Sequence, residues 1–252
     1  MSIDNFRHII KSKNIKLYFL SCLIGIFTGI VVVGYRIALT SMTTFRIDIF
    51  SKIAKGNLTL LFFTIITFIL VAILLDYLIT WHPMIKGSGL PQVRGILLMQ
   101  FEYNWVRELI YKFIGGVLSV GSGLSLGRGG PSIQLGSQIA YGVRKTFKTK
   151  NINEKFLISS GVSAGLSAAF NSPLSGIIFA IEELHKYLTP VLLICISLAS
   201  MSSEIVTRLI LGKHTLFKFE NTLAPNIGLF ESIIFIFILR LNFGFKFHCI
   251  NS

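Results

Sequence analysis

Two stretches of this chain, 17–35 and 58–75, contain no charged residue at all. A run of about 18–20 apolar residues is the length that crosses a bilayer. In hydrocarbon every backbone N–H and C=O must be paired internally, so such runs are read as helices. Composition agrees: 52% of residues are hydrophobic, 14% are charged and the mean hydropathy is +0.71, whereas soluble domains carry roughly a quarter charged residues. The chain reads as an all-α, polytopic membrane protein.

The net charge of +13 does not make it a nucleic-acid binder, because the basic residues flank apolar runs instead of forming one patch. Arg7, Lys11, Lys13 and Lys16 precede the first run, and Arg144, Lys145, Lys148 and Lys150 follow a later one. By the positive-inside rule both sets are expected on the cytoplasmic side, which puts the N-terminus there. The first apolar run is longer than a signal-peptide core of about 7–15 residues and no small-residue cleavage site follows it, so a retained span is expected. Cys22, Cys195 and Cys249 are odd in number and far apart, which implies no disulfide framework.

Two short motifs interrupt the apolar pattern. Gly87, Ser88, Gly89, Leu90 and Pro91 spell G-S-G-L-P, and Gly127, Arg128, Gly129, Gly130 and Pro131 spell G-R-G-G-P. Both fit G-x-G-x-P, and each leads into a helix-compatible run. Pro131 suits a first helical position, where its missing N–H costs nothing. Glycines just before it let N–H groups converge at the positive end of the helix dipole. Broken helices whose starts face a midplane site hold charged substrates in transporters, so the expected chemistry is the binding of a dehydrated anion by amide dipoles, with no fixed cation. Ser88 offers a hydroxyl donor to the same anion; equally, it could cap its own helix. A pair of ordinary loop kinks is the plainer reading of both motifs.

Taken in order, residues 17–40 form a first spanning helix, with Gly25 and Gly29 spaced for close approach of a neighbour. A polar connection follows over 43–57, then a second span over 58–75. Residues 92–99 are too short to cross and read as a re-entrant half-helix, followed by a polar stretch over 100–108. A short apolar run covers 113–127 and a helix covers 130–143. Residues 156–181 form a small-residue helix broken by Asn171, Ser172 and Pro173, where Asn171 or Ser172 can cap the second piece. Glu182 and Glu183 are adjacent, so one should face water and the other protein. A carboxylate at a helix C-terminus opposes the dipole, which favours a function for one of them; a solvated end balanced by His185 and Lys186 fits as well. Residues 190–203 form another span, extended by an i,i+4 pair of Glu204 and Arg208. A polar connection over 212–226, a last helix over 229–239 and a patternless tail complete the chain.

The two glycine motifs and the run S-A-G-L-S-A-A-F-N-S-P-L-S-G-I-I-F-A-I-E-E at 163–183 together resemble the CLC family of chloride channels and chloride/proton exchangers. The resemblance implies tilted and broken helices, here the first inverted repeat and the start of the second, in a homodimer with one ion path per subunit. It divides the chain into a cytoplasmic segment (1–16), an incomplete transmembrane domain (17–240) and a tail (241–252), in the plasma membrane. Ser88 matches the serine that contacts the central chloride, and the backbone at Arg128, Gly129 and Gly130 matches the outer filter. Glu183 matches the internal glutamate that passes protons in exchangers.

Two departures stand out. The family's G-R-E-G-P has a glutamate where this chain has Gly129, so proton coupling is expected to be absent. The second half's filter glycines and tyrosine do not occur before Ser252, which leads to the expectation of a truncated reading frame. Anion transport is thus the first functional expectation, with chloride or a similar anion and the lipid bilayer as partners, and no cofactor or nucleic acid. A nonconducting fragment or accessory subunit is the alternative. A membrane enzyme using Glu182, Glu183 or a histidine finds less support, because His8, His82, His185, His214 and His248 show no H-x-x-x-H or H-E-x-x-H spacing.

Overall fold

The computed structural model describes residues 12–98, 104–124, 127–149, 152–185 and 188–212, all within one compact unit, Met1–His214. Among these residues every regular element is helical. In chain order they are α1 (Ser12–Ala54), α2 (Leu58–Trp81), a 3₁₀ turn (Pro83–Ile85), α3 (Leu90–Leu97), α4 (Trp105–Gly121), α5 (Gly129–Thr146), α6 (Ile152–Phe170), α7 (Pro173–Phe179), a π turn (Ala180–His185) and α8 (Pro190–Leu211). The expected last helix and tail lie outside the described residues. Cys22 and Cys195 are free.

The centre of the bundle is α6, which packs on α1, α5, α7 and α8. Its small residues make this possible: Ser160, Ala164, Ala168 and Ala169 are fully buried. Without a hydrophobic driving force between helices in lipid, close van der Waals contact and side-chain hydrogen bonds hold such a bundle. Serines supply the bonds. Ser203 Oγ donates to Ala164 O (2.9 Å), Ser167 Oγ to Ser200 O (3.1 Å) and Ser200 Oγ to Pro173 O (2.8 Å). As the spacing predicts, Gly25 and Gly29 admit α8: a Cβ at Gly25 would overlap Ser202 Oγ and Ala199 O, and one at Gly29 would lie 3.0 Å from Ser203 O.

Several sequence-based boundaries are corrected. The connection expected at 43–57 is helical as far as Ala54, because Thr40, Thr43 and Thr44 fold their hydroxyls back onto carbonyls one turn earlier and hide their polarity from lipid. Helix α4 starts at Trp105, inside the stretch expected to be polar connection, and stops at Gly121, six residues before Gly127. α2 ends where Pro83 denies the helix its next N–H. The broken helix is found where expected, between Phe170 and Pro173. Neither expected cap operates there: Ser172 is the N-cap but makes no capping bond, and its hydroxyl pairs with Ser175 Oγ at 2.7 Å. Asn171 instead adopts φ +54° and accepts a bond from buried Arg36, whose guanidinium also donates to Ala168 O at 2.7 Å. One α1 arginine therefore ties off the carbonyl end of α6. The Glu204–Arg208 pair is present, with 2.6 Å between Oε1 and Nε.

Candidate functional site

Gly87 and Gly89 have φ +73° and +88°, a left-handed geometry that L side chains rarely adopt. Ser88, flanked by them, is exposed, and α3 begins two residues later with Gly89 as N-cap and Pro91 in its first turn. No side chain caps this helix start, so Ser88 does not serve as the cap that the sequence left open. α5 begins at Gly129, with Arg128 as N-cap. Pro131 is therefore the third residue of the helix instead of the first, which costs nothing because the first four N–H groups of a helix have no internal partner.

The two helix starts meet. A Cβ at Gly130 would overlap the Ser88 carbonyl oxygen. One at Gly89 would come within 2.9 Å of Gln134 Cβ and 3.1 Å of Gly130 O. Gln134 reaches back to donate its Nε2–H to Met84 O at 2.7 Å. Beside this contact lies a cavity of about 400 Å³, lined by Gly87, Ser88, Gly127, Gly130 and Pro131 on one side and by α4 from Tyr111 to Ser119 on the other. Leu75, Ile79 and Ile85 complete its wall.

A cation stands in that wall, contrary to the expectation that amide dipoles act alone. Lys112 is only 4% exposed, and its Nζ donates to Ile85 O (2.8 Å) and Gly87 O (3.0 Å). It ties down the turn that presents Ser88 while placing positive charge at the cavity. One turn earlier on α4, Glu108 pairs with His82 at 3.0 Å, and the His82 ring stacks on Tyr111 with 4.0 Å between centroids. The signal for Lys112 in the sequence is a lone lysine at the edge of an apolar run; nothing in its spacing points to carbonyls 25 and 27 residues away.

The remaining expected site residues fall elsewhere. Gly89, Leu90 and Pro91, at the start of α3, are not in the cavity wall, nor is Arg128, which is exposed. Gly129 faces α6: a Cβ there would lie 3.2 Å from Phe170 Cε2 and 3.7 Å from Leu166 Cδ1. Glu183 is not part of the cavity wall. It sits on the π turn, half-buried, and pairs with Arg94 of α3. Glu182 beside it is exposed, as their adjacency predicts. His185 is not a solvated balance for these acids; it is buried, with Nε2 2.7 Å from Ser159 Oγ.

The cavity wall thus carries the serine Ser88, the start of α5 at Gly130 and Pro131, and the buried Lys112, whose ammonium is bonded to two carbonyls. Such a set complements a small anion. Among the described residues no group of three or more His, Cys, Asp and Glu could hold a metal ion.

The helical architecture is that of a known class of membrane proteins. The Voltage gated chloride channel family matches residues 70–245, and the chain belongs to it. It is 30% identical over 234 residues to the H(+)/Cl(-) exchange transporter ClcA of Vibrio cholerae serotype O1, covering 91% of this chain and 50% of that protein. It is 35% identical over 169 residues to ClcA of Salmonella schwarzengrund, covering 66% and 36%. Among solved structures, a slow cyanobacterial Cl-/H+ antiporter superposes with a TM-score of 0.74 at 28% identity, covering 88% of this chain and 53% of that one. The chain spans half or less of the length of the two curated relatives. It is an integral membrane protein of the all-α CLC architecture.

Proposed function

We propose that this chain carries an anion-binding site for transmembrane transport of chloride or a similar small anion, without proton coupling. The observation that carries the reading is the placement of Ser88: it lines a cavity together with the first turn of α5, at Gly130 and Pro131, and with Lys112. The relatives named as H(+)/Cl(-) exchange transporters support chloride as the ion. Gly129 lacks the carboxylate that would compete with an anion and carry a proton, and Glu183 lies away from the cavity in contact with Arg94. The reading includes a homodimer, in the plasma membrane, with the N-terminus cytoplasmic.

The test is anion efflux from liposomes reconstituted with the protein. Ser88→Ala should lower efflux about tenfold, the loss expected when a buried or ion-facing donor worth roughly 1.4 kcal/mol is removed. Undiminished efflux in that variant would place the path elsewhere.

A further inference from the structure

Half-helix α3 has eight residues and cannot span a membrane or stand alone. Its inner face is secured by packing, since Val93, Ile96 and Leu97 join a buried cluster with Ile133, Ile158 and Val162, flanked by Phe179 and Leu184. The turn that leads into it is secured by Gly130, against Ser88, and by Lys112, bonded to Ile85 O and Gly87 O. What holds its last turn is a contact across 89 residues of sequence: Arg94 pairs with the Glu183 carboxylate and lies 3.4 Å from the Glu183 main-chain oxygen. A guanidinium suits the last turn of a helix, and a carboxylate beyond a helix C-terminus opposes its dipole unless a cation joins it. Arg94 meets both requirements at once.

We propose that Arg94 is a positioning residue, a tether that fixes the far end of the half-helix presenting Ser88 and commits the Glu183 carboxylate to that contact in place of proton transfer. The proton half of this proposal rests on the anion-transport reading; the tether does not.

The test uses the whole chain in liposomes, with Cys22, Cys195 and Cys249 replaced by alanine and Ser88→Cys as reporter, labelled by a charged thiol reagent. Arg94→Gln and Glu183→Gln should each speed labelling about two- to fivefold, the range set by a half-exposed ion pair. Exchanging the two charges, Arg94→Glu with Glu183→Arg, should restore the parent rate. Single variants that label at the parent rate, or an exchange as fast as the singles, would overturn the tether. If the exchanged protein does not fold, Arg94→Lys takes its place: the parent rate is expected, and a rate equal to that of Arg94→Gln overturns the proposal. For protons, Gly129→Glu alone should give no anion-driven proton uptake, and Gly129→Glu with Arg94→Gln should give it. Uptake in Gly129→Glu alone would show Glu183 free to relay. Absence of anion flux from every variant counts against the transport reading, and the labelling rates still decide the tether.

Discussion

The Ser88 carbonyl rests directly on the α-carbon of Gly130, so that the two interrupted helices touch main chain to main chain. No side chain fits between them. Gly130→Ala should therefore push the α3 turn away, at about 1–3 kcal/mol for an overpacked contact, lowering the melting temperature in detergent and weakening halide binding. Gly127→Ala is the matched control: no atom lies within 4 Å of its Cβ position, and a change within about 0.5 kcal/mol is expected.

Lys112→Met keeps length and apolar bulk while removing both donors to the Ser88 turn. Hydrogen bonds from charged groups are worth about 1.5–3 kcal/mol each. Calorimetric titration with chloride should show affinity reduced at least tenfold, about 1.4 kcal/mol, together with a lower melting temperature. An unchanged affinity would mean that the ammonium serves the fold alone.

Gly129 presents no carboxylate, and the position faces Phe170 instead of solvent. An outward chloride gradient should accordingly drive anion flux with no movement of protons against their own gradient, read by a pH electrode around reconstituted liposomes. Uphill proton movement would contradict the expectation. Introducing Gly129→Glu requires the Phe170 ring to yield a few tenths of an ångström, so its melting temperature should fall slightly and recover with Phe170→Leu.

His185 lies past the apolar run that ends at Ile181, buried against Ser159 and close to Lys155. Burial, and then the Lys155 charge, pull its pKa below the ordinary 6.5. The fold thus prefers the neutral ring, and the unfolded chain binds the proton more readily. Stability from this group is full above about pH 6.5 and is lost as pH falls through the lower folded-state value. Melting temperatures measured between pH 8 and pH 5 should drop on the acid side, and His185→Gln should flatten that drop.

What the sequence reveals here is whatever is local or repeated. The break at Asn171–Pro173 announces itself through a proline inside an apolar run, and the Glu204–Arg208 pair through its four-residue spacing. Gly25 and Gly29 signal a close neighbour without naming it; only the fold supplies α8. The hidden parts are those decided by partners far along the chain. Glu183 stands out in its motif, but nothing in the sequence pairs it with Arg94 until the π turn and α3 come together. Lys112 resembles the polar end of a helix because its two carbonyl acceptors lie in an earlier turn. The end of α1 was hidden for a different reason: threonines that bond back to their own helix look, letter by letter, like a loop.

With 43 residues, α1 measures about 65 Å at 1.5 Å per residue, roughly twice the hydrocarbon depth of a bilayer. Phe45, Ile47 and Phe50 near its far end are more than 40% exposed, and Phe50 meets Phe68 of α2 edge to face. A rod that long either leans or carries this greasy tip out among the headgroups. The far tip of the α1–α2 hairpin should thus sense lipid chain length, standing differently in thin and thick membranes while the bundle around α6, with the first half of α1, stays as it is.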